Sequence, residues 1–288
     1  MAAGEFTEHY FHAQDDLRLY YRDYGQRHAT RLPLLCLPGL TRNARDFHDF
    51  ALRHAAERRV ICFDFRGRGR SAYDPDSSNY QPSVYLSDLQ HLLAVTHLHR
   101  VVVLGTSMGG IMAMAMATAM PTALAGVILN DVGPDVSESG RQRIAGYIGN
   151  PIFAPDYETA MAILQRTYAP AYPKLGSDSW MRIARATFTE DTSRGGLRLD
   201  YDLNIAQAMR EQARQPLPDL WPLFRGLRHV PLLALRGTLS DILTAETLVR
   251  MKREHAGMVA VTVPDVGHVP QLDEPEAVAA IDAFLARL

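Results

Sequence analysis

The 288 residues carry 30 Lys and Arg against 32 Asp and Glu, a formal net charge of -2, with 47% apolar residues. That balance gives no electrostatic pull toward nucleic acid or an anionic membrane surface, and no stretch approaches the ~18 apolar residues of a membrane span. The length suits one large α/β core carrying an insertion, and the polar start MAAGEFTEHYFHAQDD lacks the apolar stretch of a secretory signal, so a soluble, cytoplasmic protein is expected.

In chain order, EHYFHAQ and LRLYYRDYG are short aromatic-rich runs parted by Asp15 and Asp16, which predicts an antiparallel hairpin. Uniformly apolar runs follow (PLLCL, RVICFDF, RVVVLG, LAGVILN, VPLLALRG, MVAVTV), alternating with longer helical stretches such as VYLSDLQHLLAVTHL. Strands without polar alternation, separated by helices, predict an α/β fold: a mostly parallel central sheet covered by helices on both faces. Cys36 and Cys62 each lie inside such a run, and core filling explains them better than a disulfide or metal site.

Between Asp131 and His229 the alternation stops. No convincing strand is visible there, but SGRQRIAGYIG, DYETAMAILQRTYA, SDSWMRIARATF and YDLNIAQAMREQ read as amphipathic helices, punctuated by Pro134, Pro151, Pro155, Pro170, Pro173, Pro216 and Pro218. The expected layout is therefore a core segment 1–134, a helical insertion 135–215 and a second core segment 216–288.

Gly105-Thr106-Ser107-Met108-Gly109 fits G-x-S-x-G, with an apolar strand before it and a strong helix former after it. A serine on so tight a strand-to-helix turn projects its hydroxyl from the sheet edge, and the flanking glycines keep side chains out of the turn. The serine needs a base, and of the eleven histidines His268 is singled out by its loop between the last apolar strand and a final helix. His97 and His99 flank Leu98 with no third ligand in view, and His9, His12, His28, His48, His54, His91, His229 and His255 read as surface or core residues.

For the acid, Asp241 follows the strand LLALRG, so Ser107, Asp241 and His268 occur in the order nucleophile, acid, base. Asp131, one strand earlier, and Glu246, inside the next helix, are the competitors, and Asp241 is preferred over both. Oxyanion donors are expected from the backbone N–H groups of Met108 and of Leu40 in CLPGLTRNARDF, where Gly39 permits close approach. Gly67-Arg68-Gly69-Arg70-Ser71-Ala72 mimics a dinucleotide fingerprint, yet turn-forming YDPDSSNYQPS follows it, so no helix start would hold a pyrophosphate; a loop bracing the site is expected.

Taken together, LPGLTRN, DFRGRGRS, GTSMGG, the acid in RGTLSD and VGHVPQLDEPE resemble the α/β-hydrolase family, in its order and over nearly the whole chain. The resemblance implies that the insertion is a helical cap, that no cofactor or metal takes part, and that Ser107 attacks a carbonyl to give an acyl-enzyme that water then hydrolyses. Two departures stand out: Pro38-Gly39 replaces the family's frequent His-Gly, and Asp241 lies four residues after Gly237 where three is usual. Tyr147, Phe153, Trp180, Met181 and Phe188 are candidates for an apolar pocket, which favours a small or medium hydrophobic ester or lactone. An alternative is cleavage of a carbon–carbon bond in a ring-fission dienoate, with Arg182, Arg185 and Arg194 receiving its carboxylate; a non-catalytic ligand receptor is the third.

Overall fold

The computed structural model describes residues 6–288. Its first strands, β1 (Phe6–His12) and β2 (Arg18–Tyr24), pair as the expected antiparallel hairpin. The core then runs β3 (Leu34–Leu37), α1 (His48–His54), β4 (Val60–Asp64), α2 (Pro82–Thr96), β5 (Val101–Thr106), α3 (Met108–Ala119) and β6 (Leu124–Asn130). Every residue of β3, β4, β5 and β6 is buried, which is why these strands read as unbroken apolar runs.

The inserted stretch contributes α4 (Glu138–Tyr147), β7 (Phe153–Ala154), α5 (Tyr157–Tyr168), α6 (Ser177–Thr187), β8 (Phe188–Glu190), β9 (Leu197–Leu199) and α7 (Ile205–Gln212). The four helices fall where the amphipathic windows placed them. The small antiparallel sheet in the order β7-β9-β8 corrects the expectation that this region has no strand. Its strands have two or three residues, too few for a period of two to show, and β8 returns to β9 through Gly195 and Gly196, both at positive φ.

After α8 (Trp221–Arg225), the chain re-enters the core with β10 (Leu232–Gly237), α9 (Ala245–Glu254), β11 (Val259–Val263) and α10 (Pro275–Leu285). The main sheet has eight strands in the order β1-β2-β4-β3-β5-β6-β10-β11, parallel from β4 through β11. The order places β6 between β5 and β10, so the C-terminal ends of these three strands lie side by side. Among the described residues no helix is long and apolar enough to cross a membrane.

Candidate active site

Ser107 sits between β5 and α3 with φ 52 and ψ -117, outside the regions open to ordinary L-residues. The turn tolerates nothing larger than glycine on either side. A Cβ on Gly105 would lie 2.4 Å from the Gly109 carbonyl oxygen, and one on Gly109 would lie 2.1 Å from that of Leu37. The Ser107 N–H donates to the Asn130 carbonyl (3.1 Å), which ties the turn to the end of β6.

His268 Nε2 lies 3.0 Å from Ser107 Oγ, and its Nδ1 lies 2.7 Å from Asp131 Oδ2. Asp131 is fully buried and follows directly on β6, and its backbone adopts a left-handed conformation (φ 56) that an aspartate tolerates better than most residues. It also accepts the Gly237 N–H (2.9 Å) and the Ser240 hydroxyl (2.6 Å), so the carboxylate has several donors besides the imidazole. Tyr172, which follows α5, steadies the far side of the imidazole loop: its hydroxyl donates to the Val269 carbonyl (3.1 Å) and accepts the Val269 N–H. The Gly267 N–H donates to the Ala171 carbonyl (2.7 Å).

The acid expected from the sequence is displaced. Asp241 does not bond His268; its Oδ1 accepts from Arg143 Nη2 (2.8 Å) and its Oδ2 from Arg143 Nε. In the β10 loop Ser240, rather than its neighbour Asp241, turns toward this site, where its hydroxyl bonds Asp131. Asp131, one residue past β6 and beside the end of β5, already fills the place. Burial raises the Asp241 carboxyl, but the Arg143 guanidinium outweighs it and holds the group below the usual carboxylate range.

Both expected oxyanion donors border the serine. Met108 opens α3, where its N–H has no intrahelical acceptor, and the turn at Gly39 and Leu40 lies against the nucleophile: a Cβ on Gly39 would stand 3.6 Å from Ser107 Cβ. The glycine-arginine loop after β4 braces this turn. Arg68 is fully buried and donates to the carbonyls of Leu40 (2.8 Å) and Arg66 (2.7 Å) and to the Tyr85 hydroxyl (2.9 Å).

The candidates for the pocket divide. Tyr147 stands beside Tyr168 at the end of α5, their rings edge to face at 6.4 Å, and Trp180 packs edge-on against Tyr172. Phe188 is fully buried, whereas Phe153 is 52% exposed and lies against the Gly196 turn of the small sheet. Arg182 pairs with Asp49 and Asp273, and the Arg185 guanidinium lies over the Tyr157 ring. Sequence reasoning passed over Arg42, Arg143, Tyr168 and Tyr172, since an arginine or tyrosine in a core turn or in the insertion carries no local mark of what it faces.

Residues 34–281 match the sequence profile of the alpha/beta hydrolase family. The chain is similar to a 3-hydroxybutyrate-oligomer hydrolase of Cupriavidus necator, 33% identical over 93% of this chain and 92% of that protein. It is also similar to a 2-(acetamidomethylene)succinate hydrolase of Mesorhizobium japonicum, 26% identical over 99% of both. The solved structure of an alpha/beta hydrolase from Novosphingobium aromaticivorans, 44% identical, superposes with a TM-score of 0.93 over 99% of each chain. A strained serine at the sheet edge, a histidine in reach of it and a match spanning the core on both sides of the insertion agree, and the chain belongs to the alpha/beta hydrolase family.

Proposed function

We propose that this hydrolase cleaves carboxylic esters through an acyl-enzyme on Ser107, with His268 as general base and Asp131, in place of Asp241, as the acid that orients it. The observation that carries the reading is the continuous hydrogen-bonded line Ser107 Oγ, His268 Nε2, His268 Nδ1, Asp131 Oδ2, at 3.0 and 2.7 Å. His268 takes the hydroxyl proton as Ser107 Oγ attacks the carbonyl carbon, and the N–H groups of Leu40 and Met108 receive the oxyanion. The protonated imidazole then returns the proton to the leaving alkoxide. A water deprotonated by the same nitrogen cleaves the acyl-enzyme, releasing the acid and restoring Ser107.

A small-molecule ester is the substrate, and the elements from α4 to α7 act as its cap. The similarity to a 3-hydroxybutyrate-oligomer hydrolase over most of both chains favours an ester between short hydroxyacids. The carbon–carbon reading is the weaker one, because Arg182, one of the three cap arginines it invoked, is held by Asp49 and Asp273.

A fluorophosphonate probe is expected to label the protein at Ser107, and Ser107→Ala to abolish both labelling and turnover of a short p-nitrophenyl ester. Labelling that survives the substitution would refute the nucleophile. Asp131→Asn is expected to lower kcat by ~10⁴, as loss of the orienting carboxylate does in serine hydrolases, and Asp241→Asn to fall well short of that loss. The opposite ranking in steady-state kinetics would return the role to Asp241.

A further inference from the structure

Arg42 lies beside Ser107, and Arg143 reaches the line of Ser107, His268 and Asp131 by way of Asp241 and Ser240; not all of the hydrogen-bonding capacity in this neighbourhood is used. The Arg42 stem flanks the same glycine as the nucleophile: a Cβ on Gly39 would stand 3.5 Å from Arg42 Cγ and 3.6 Å from Ser107 Cβ. The Arg42 fork is committed to Asp46 and to the Thr187 hydroxyl, so it lends its field but few donors.

Arg143 of α4 stands beside Asp241. It gives Nε and Nη2 to Asp241, which leaves Nη1 without a partner among the described residues, and its side chain is 35% exposed. Asp241 itself adjoins Ser240, whose hydroxyl donates to Asp131, so the guanidinium is two residues removed from the acid of the catalytic line. Tyr147 follows Arg143 by four residues and so shares its helix face. Tyr168 meets the Tyr147 ring from α5, and neither phenol hydroxyl has a hydrogen-bond partner among the described residues. Burial raises both phenols, with Arg143 opposing it, which places the rings and the guanidinium within one another's field.

We propose that Arg143 Nη1 and the hydroxyls of Tyr147 and Tyr168 form an anion subsite that receives a free carboxylate of the substrate, so that the enzyme prefers short esters carrying one carboxylate. The inference rests on the ester-hydrolase reading above and narrows it. Each of the three groups can donate to a carboxylate oxygen. Asp241 already neutralises Arg143, and one guanidinium edge remains, which suits a single negative charge and disfavours a dianion. An ester of two hydroxyacids has such an end: Ser107 takes the acyl half, the other hydroxyacid leaves with its terminal carboxylate untouched, and water releases the acyl half as a second hydroxyacid.

Binding measured in the Ser107→Ala protein separates this subsite from the chemistry. By titration calorimetry, the monoester 3-acetoxypropanoate is expected to bind at least about tenfold more tightly than its methyl ester. Adding Arg143→Met should bring the two affinities together, whereas adding Asp241→Asn, which removes the internal competitor for the guanidinium, should widen the gap. Equal affinities in the Ser107→Ala protein, no measurable binding of the monoester at millimolar concentration, or a preference that survives Arg143→Met overturns the proposal. Should the Arg143 variant not fold, Asp241→Asn decides alone, and a gap no wider than its parent's overturns it. A wild-type protein that hydrolyses neither ester refutes the hydrolase reading without touching the binding preference, so the two failures are distinguishable.

Discussion

A buried arginine must place five N–H donors and a charge without water, and Arg68 does so against neutral groups. Its three acceptors are two carbonyls and a phenol, and its guanidinium faces the rings of Tyr80 and Tyr85 at 5.7 and 5.0 Å. The two ends of its fork bear on the two residues assigned as oxyanion donors, since Nε holds the Leu40 carbonyl and Nη2 lies 3.8 Å from Met108 Sδ. Arg68 is thus a positioning residue for a pair of backbone donors. Arg68→Met keeps the apolar stem and removes the bond to Leu40, so kcat is expected to fall ~100-fold, near the worth of one oxyanion donor, with KM changed little. Steady-state kinetics on a folded variant checks this, and a kcat within about twofold of wild type would exclude the role.

At the level of single elements, the acid shows how far sequence pattern reaches. Asp131 and Asp241 each follow an apolar strand, and β6 and β10 are neighbours, so strand order alone admits both. What separates them is which residue of each loop turns inward, and that depends on Ser240 and Arg143, contacts across 109 and 98 residues of chain. The turn that carries Ser107 was legible because its geometry is local: a strand end, a helix start and two glycines within five residues.

The pairing of α1 with α10 carries a pH-sensitive element of its own. His54 packs on Phe50 at 4.7 Å, its Nε2 is buried without a hydrogen bond, and Asp282 of α10 stands 3.7 Å away. Burial, helped by Arg53 and Arg58 and opposed by Asp282 and Glu57, pushes its pKa down to about 4 from an ordinary 6.5. Between these values the unfolded chain binds a proton that the folded chain resists, so stability falls as pH drops from 6.5 toward 4, by up to ~3 kcal/mol for a shift of this size. His54→Leu is expected to flatten the melting temperature across that window, measured by circular dichroism. An unchanged slope would mean that the histidine is solvated in the folded protein.

Over the whole molecule, the inserted elements are sewn to the core along one edge. Asp200, next to β9, accepts from Arg45 and Asn43 while its carbonyl takes the Gly69 N–H (3.1 Å). Asp202 bonds the Tyr80 hydroxyl and gives its N–H to Gly67 (2.7 Å). The core side of this seam is itself clamped, because the fully buried Arg66 binds Asp15, Asp74 and Asp88, joining the first hairpin, the loop after β4 and α2. None of these pairings follows a period in the sequence, which is why the apolar runs revealed the sheet and the helices but not the seam.

The seam makes the insertion and the core one cooperative unit, since neither can open without stranding charges in a buried setting. Asp200→Ala removes the carboxylate partner of Arg45, which keeps the Ala186 and Phe188 carbonyls, and one of the two acceptors of the Asn43 amide, and should cost about 3 kcal/mol, the upper end for a hydrogen bond to a charged group. At 2–4 °C per kcal/mol for a chain of this size, the melting temperature should drop by roughly 10 °C while calorimetry still records a single transition. Two separated transitions in the wild-type protein would show that the insertion unfolds on its own. A drop of under about 2 °C in the variant would show that solvent, and not Asp200, already satisfies Arg45.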